Sequence, residues 1–232
     1  MISKFLNSYI SKIKGESYTL DPSIPAGYLI TATLSQIFMK VRGKLLFPLR
    51  AHSPFIASNV RLVVRSKIIF GKGVIFHTNC SLNALSRDGI VLGNNVSVGT
   101  NTKIECTGNL KTLGKGLSAG NNVGLGSDNF YGCAGGIVIG DDTIVGNFVS
   151  FHSENHNYDR SDVPIRLQGV NHSGINVGSN CWIGAKSTIL DGAVIHNGCI
   201  IAAGAVVRAG VYAANGIYGG VPAKLLKMRG GD

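Results

Sequence analysis

The sequence predicts an all-β protein built as a parallel β-helix, with an N-terminal helical segment and one long loop thrown out of the stack. Three observations predict it. First, large apolar residues recur every six positions at Val177, Ile183, Ile189, Ile195, Ile201 and Val207. Second, the residues two before each of these, Ile175, Cys181, Ser187, Ala193, Cys199 and Ala205, are mostly small. Positions i and i−2 of an extended strand share a face, so each six-residue unit turns one large and one small side chain inward. Third, the 32 glycines are dispersed and several directly follow Ile or Val, as periodic turns require.

Along the chain, residues 1–56 show no step of six and form a helical cap or appendage. Ile30, Leu34, Ile37, Phe38, Val41 and Leu45 fall at helical spacing among Lys40, Arg42 and Lys44, after a Ser23-Ile-Pro start signal. The apolar run is too short and too charged to span a bilayer. Two roles fit it: attachment to a membrane surface through residues 1–50, or covering the open first coil, the role terminal segments of repeat arrays ordinarily take.

Residues 57–212 carry the repeats. Upstream of Val177 the step recurs at Phe70, Phe76 and Leu82; at Leu92, Val98 and Ile104; at Leu113, Ala119 and Leu125; and at Ile139, Val145 and Phe151. A coil with three sides takes about eighteen residues, so the chain supplies roughly seven coils, each burying its inner face only against its neighbours. The period does not set the hand of the helix. Cys181 and Cys199 then occupy one position on successive coils, as small core fillers.

Between Phe151 and Val177 the step is lost over "HSENHNYDRSDVPIRLQGVNHSGI". A segment that long inside a regular repeat is functional or disordered. Residues 213–232 form a C-terminal tail.

Composition bounds the partners. The formal charge is +10 with only 12 acidic residues, which favours phosphates, acidic sugars or acidic lipid headgroups. Lys/Arg runs with interleaved aromatics and nucleic-acid-binding modules are absent, so no nucleic acid is expected. The five cysteines form no CxxC pair, and "MISKFLNSYI" lacks a secretory core, so the expected compartment is the cytoplasm, at the inner face of the membrane if residues 1–50 attach there.

The stretch "GGIVIGDDTIVGNFVSFHSENHNYDR", then "INVGSNCWIGAKSTILDGAVIHNGCIIAAGAVV", then "GGVPAKLL" resembles the hexapeptide-repeat acyltransferases, in particular the sugar and polysaccharide O-acetyltransferases, over about residues 60–226. The resemblance implies a left-handed β-helix, a homotrimer with active sites between subunits, acetyl-CoA as donor, no metal, and a saccharide acceptor. It makes the loop residue His156 the general base that takes the proton of an acceptor hydroxyl, a task suited to neutral imidazole. It makes the backbone N–H of Ala185 the oxyanion donor. Trp182, Gly184, Ala185, Ala203, Pro222 and Lys224 are implied to line the donor site. Arg208 stands one position before the place of a missing basic residue, since the Thr-Lys pair frequent in the family is here Arg208-Ala209. Asn129 and Tyr131 in "SDNFYGCAGG", with His152 and Asp159, are the candidate acceptor contacts. Turn chemistry explains the Asn-rich stretch equally well, and Asp159 has the option of pairing with Arg160.

Three other activities fit the same repeat: N-acylation of a nucleotide-linked amino sugar, a zinc-dependent hydratase using His152 and His156, and a scaffold without catalysis. The hydratase needs a third histidine from a neighbouring coil, and His77 is many coils away.

Overall fold

The structure, a computed structural model, describes residues 17 and 19–230 of the 232-residue chain. Part of the N-terminal appendage expected over 1–56 therefore lies outside the described residues. The rest is a left-handed parallel β-helix of triangular section. Its second face stacks seven strands from Arg61–Val63 to Val206–Val207, and its third stacks seven from Ile68–Phe70 to Gly210–Tyr212. The first face runs from Phe55–Ile56 to Gly216–Gly219, with isolated bridges at Ser97, Gly124 and Ile144 joining its two hydrogen-bonded parts. The turns between the first and second faces form one vertex, the first corner; those between the second and third form the second corner.

Strands stack in register because the step of six sets which side chains enter. Phe76, Leu82, Val98, Ile104, Phe151, Ile183, Ile189, Ile195, Ile201 and Val207 are all buried, and the small partners Cys181, Ser187, Ala193, Cys199 and Ala205 fill the space beside them. All five cysteines are free and buried. Burial pushes the Cys80 thiol up to about 12, as expected of a core filler.

Leu113 departs from the expected step: it is 39% exposed, while Ala119 and Leu125 are buried. Residues 107–115 leave the prism at the second corner as a short loop, whose return is tied by Gly114 N–H donating to Thr107 Oγ1 at 3.0 Å. Asn129 and Tyr131, expected to contact the acceptor, also lie elsewhere. Tyr131 is fully buried, stacks on Phe151 at 4.8 Å between centroids, and donates its hydroxyl proton to the Leu125 carbonyl at 2.9 Å. Asn129 is 2% exposed; its amide donates to the Leu125 and Gly146 carbonyls and accepts from Val149 N–H. Both are core groups with their polar atoms satisfied from within.

Helix α1 spans Ala26–Leu46 and lies against the first strand, whose outer edge would otherwise be bare. Its cations serve that edge: Lys40 donates to the Ser53 carbonyl and Arg42 to the Ile56 carbonyl, the latter at 2.9 Å. Gly43 lets the two backbones approach, since a Cβ there would sit 1.9 Å from the Pro54 oxygen. Past the helix end, Phe47 closes the open core in an edge-on contact with Phe70 at 4.9 Å.

Removing the Phe151 ring, which stacks on Tyr131 at the level of the loop, is expected to cost about 3–5 kcal/mol. Urea unfolding of Phe151→Ala followed by far-ultraviolet circular dichroism measures this, and a loss under 1 kcal/mol would contradict the packing described.

Candidate active site

The long loop leaves the stack after Ser150–His152 on the second face and returns at Ile175–Val177 on the third, so it stands at the second corner. It is an antiparallel hairpin in which Asn155–His156 pairs with Val170–Asn171. Its root is clamped from within the prism. On the outgoing leg Ser153 is buried; its Oγ donates to the Gly132 carbonyl at 2.7 Å and accepts from Gly135 N–H at 3.0 Å. Both legs press on Gly135, where a Cβ would meet Ser153 O at 1.8 Å and His172 Cβ at 2.6 Å. One coil further on, the 5%-exposed carboxylate of Asp191 accepts from Ser173 N–H, from Gly174 N–H at 2.7 Å and from the Asn155 side-chain amide at 3.3 Å. Asp191 thus ties the two legs together next to His156.

The hairpin tip is organised by Gln168, whose amide donates to the carbonyls of Arg160 and Val163 and accepts from Arg160 N–H. Arg160 pairs with Asp162 at 2.7 Å, not with Asp159. Among the described residues, Asp159 and the His156 ring have no partner within the chain. His156 is exposed on its strand, His152 is exposed on the second face with its ring 5.6 Å from that of Phe130, and His172 is exposed on the returning leg. Below the hairpin foot, a cavity of about 100 Å³ lies among Asp88, Lys115, Gly136, Ser173 and Asn176. Among the described residues, no group of three or more His, Cys, Asp and Glu could hold a metal ion.

The first corner carries the other half of the candidate set. Trp182 is 52% exposed on the first face, and the turn that follows it contains Gly184 and Ala185. Ala203 occupies the same turn one coil further on, since the strands Trp182–Ile183 and Ile200–Ile201 are paired. Among the described residues the N–H groups of Ala185 and Ala203 have no hydrogen-bond acceptor, whereas the flanking Gly184, Lys186, Ala202 and Gly204 amides are all used in the stack. Glycines keep both open: a Cβ on Gly146 would lie 2.7 Å from Ala185 N, and one on Gly184 would lie 2.6 Å from Ala203 N. The tail reaches the same corner, where Ala223 N–H donates to the Val206 carbonyl at 2.8 Å, which sets Pro222 and Lys224 beside the last coils. Arg208 follows the strand Val206–Val207 and so stands at the second corner, with its backbone N–H donating to Tyr212 hydroxyl at 3.1 Å; it does not replace a cation beside Lys224.

Sequence reasoning missed Ser153, Asp191 and one feature of the first corner. There, Asn59, Asn79, Asn101 and Asp128 adopt the left-handed conformation and hydrogen-bond side chain to side chain up the stack, at 2.8 to 3.0 Å. Phe148 and Lys186 continue the same position with φ of 59° each, and the ladder stops. Non-glycine residues of this size in that conformation cost on the order of 1–3 kcal/mol, and such strain gathers at working sites. Lys186 adds an exposed ammonium next to the open Ala185 amide.

The bacterial transferase hexapeptide repeat, six units long, matches residues 174–209, the coils that carry both open amides. No protein of curated function matches the sequence. Among solved structures, a variant of AntD, an N-acyltransferase from Bacillus cereus, in complex with dTDP and coenzyme A, superposes with a TM-score of 0.57 at 22% identity, covering 69% of this chain and 83% of that one. AntD with dTDP and 3-hydroxybutyryl-CoA gives 0.50 at 17% identity over 81% and 88%. Residues 174–209 thus carry the hexapeptide repeat, and the fold of the chain is similar to that of these solved structures.

Asp191→Ala is expected to speed amide hydrogen exchange at Ser173 and Gly174 by at least tenfold, since each bond to that carboxylate contributes roughly 1.5–3 kcal/mol; unchanged exchange would remove its clamping role. Lys186→Asn, which relieves the left-handed strain, is expected to raise unfolding free energy by on the order of 1 kcal/mol. A fall in stability in the same urea titration would show that the lysine carries no strain.

Proposed function

We propose that the protein is an acetyl-CoA-dependent O-acetyltransferase that acts on a saccharide hydroxyl, as a homotrimer in the cytoplasm, with residues 57–212 as the catalytic prism and 213–232 as the tail that touches the donor. The observation that carries this is the pairing of an exposed imidazole on a clamped hairpin with two glycine-cleared backbone N–H groups on successive coils. The transferases whose fold it shares hold coenzyme A or an acyl-CoA, which supports the donor class.

His156 and Ala185 occupy different vertices of the triangle in one chain. A working site therefore forms where the second corner of one copy meets the first corner of another. In that site the Ala185 and Ala203 amides and Lys224 hold the donor, and Lys186 joins them as a cation for its phosphates. His156 removes the acceptor proton as the hydroxyl oxygen attacks the thioester carbonyl. The oxyanion of the tetrahedral intermediate accepts from Ala185 N–H. Collapse breaks the C–S bond, and the imidazolium returns the proton to the departing thiolate. His152, beside the hairpin root, and Asp159, at its tip, are placed to meet the acceptor or to orient the imidazole across the interface.

A second reading is N-acylation of a nucleotide-linked amino sugar, favoured by the fold shared with AntD complexes that contain dTDP. An amine needs the same base and the same oxyanion donor, so an acceptor panel of sugars with hydroxyls only against amino sugars decides between them.

His156→Ala is expected to lower transfer by about 10²–10⁴-fold while circular dichroism and assembly mass stay unchanged. Gly146→Val, which would cover the Ala185 amide, is expected to be similarly inactive. Refolding the two inactive variants together should restore part of the activity, because some interfaces then pair an intact second corner with an intact first one. No recovery from well-formed mixed assemblies would place both groups in one chain's site and overturn the two-copy arrangement.

A further inference from the structure

Helix α1 turns its apolar side the wrong way for a cap. Leu29, Gly43 and, just past its end, Phe47 are buried against the first coil. At 100° per residue these lie opposite the stripe formed by Ile30, Leu34, Ile37, Phe38, Val41 and Leu45. Each member of that stripe is between 47% and 75% exposed, and the following Leu49 is 99% exposed. The prism therefore does not explain why these side chains are apolar, and contiguous patches of this kind mark interaction sites.

The charge around the stripe has one sign. Lys44 borders it on one side and Arg42 on the other, and from Pro22 to Arg87 the chain has nine Lys or Arg and no Asp or Glu. Facing a second copy, the stripe would bring that cationic belt against itself, at a cost in repulsion. An acidic lipid surface reverses the sign: its headgroups complement the belt while its acyl region takes the stripe. Beside Leu34 and Phe38 an open groove of about 450 Å³ runs between the helix and the first coils, with the Arg42 guanidinium and the hydroxyls of Thr31, Ser58 and Thr78 along it. Its helix side combines Leu34, Phe38 and Met39 with Thr31, Ser35 and Arg42, and its prism side carries Ala57, Ser58 and Thr78, so apolar and hydrogen-bonding groups line it together. Among the described residues no helix is long and apolar enough to cross a membrane, so the contact is in the surface plane.

We propose that the outward stripe of α1 and its cationic border dock the protein on an anionic lipid surface, with Leu34 and Phe38 inserted and Arg42, Lys44 and Arg50 among the headgroups. The test is flotation of the full-length protein with vesicles of phosphatidylcholine alone and of phosphatidylcholine with equimolar phosphatidylglycerol, alongside assembly mass by light scattering. Wild-type protein is expected to float with the anionic vesicles about tenfold or more better than with the neutral ones, and less at high salt. The double variant Leu34→Glu, Phe38→Glu, altered only at exposed positions, is expected to lose that binding with circular dichroism, assembly mass and transfer to a soluble acceptor all preserved. Absence of wild-type flotation, or flotation that persists in the double variant, overturns the proposal. A drop in assembly mass in the double variant assigns the stripe to a second copy and overturns it equally. Transfer to the soluble acceptor reads the catalytic proposal separately, so the failure of one leaves the other standing.

Discussion

Everything in this molecule depends on the stacking of equivalent inward side chains from coil to coil. Inside the stack each strand is paired above and below, and each inner position is filled by its own step of six, so the interior is taken up by side chains. Only the turns escape, because the backbone there changes direction and some amides fall out of the ladder. Chemistry is thereby confined to the corners, and the first and second corners are used in different ways. The first stays tight and opens single amides by omitting a Cβ at Gly146 and Gly184. The second admits extra chain, since a coil needs only to return in register: residues 107–115 leave there, and so does the hairpin that carries His156.

A division of labour follows from the triangle. The imidazole and the open amides stand at separate vertices, and the imidazole has no orienting partner of its own among the described residues. In the proposed function, assembly supplies both what His156 acts upon and what fixes its ring. The exposed apolar column of the first face, Ile144 and Trp182, borders the amide-bearing corner and offers a surface against which another copy can bring its hairpin. The two proposals put positive charge to separate uses: Lys186 and Lys224 near the open amides for donor phosphates, and the belt around α1 far from them.

The fold was legible because the step of six is a direct record of which side chains point inward, and Cys181, Ser187 and Cys199 show that even the small positions could be read. Where the period was carried one step short, the reading failed. Leu125 plus six is Tyr131, and the small position two before it is Asn129; both were inward by the rule that placed Ile183 and Cys181. Polar and aromatic character suggested a binding role that the period, extended once more, denies. Leu113 failed for the opposite reason, since it matched the step by coincidence within an excursion. His156 and Ala185 were legible only through resemblance, because nothing in spacing tells an open amide from a paired one. Helical spacing in 26–46 was correct, yet it cannot say which side of a helix is covered, and here the apolar side is the uncovered one.

Asp191 had no signal at all, and its position explains how the hairpin that carries His156 is held. A twenty-residue excursion on its own would carry His156 through a wide range of positions, and a base displaced by an ångström loses much of its effect. The carboxylate that ties the legs belongs to the next coil, whose strands Thr188–Leu190 and Ala193–Ile195 on either side of it are locked into the two flanking ladders. Its bonds to Ser173, Gly174 and Asn155 therefore tie the hairpin to the stacked ladders, and Ser153 does the same from below through Gly132 and Gly135. The order of the packed stack is thus transmitted outward to the hairpin, so stability of the stack and placement of His156 are a single property.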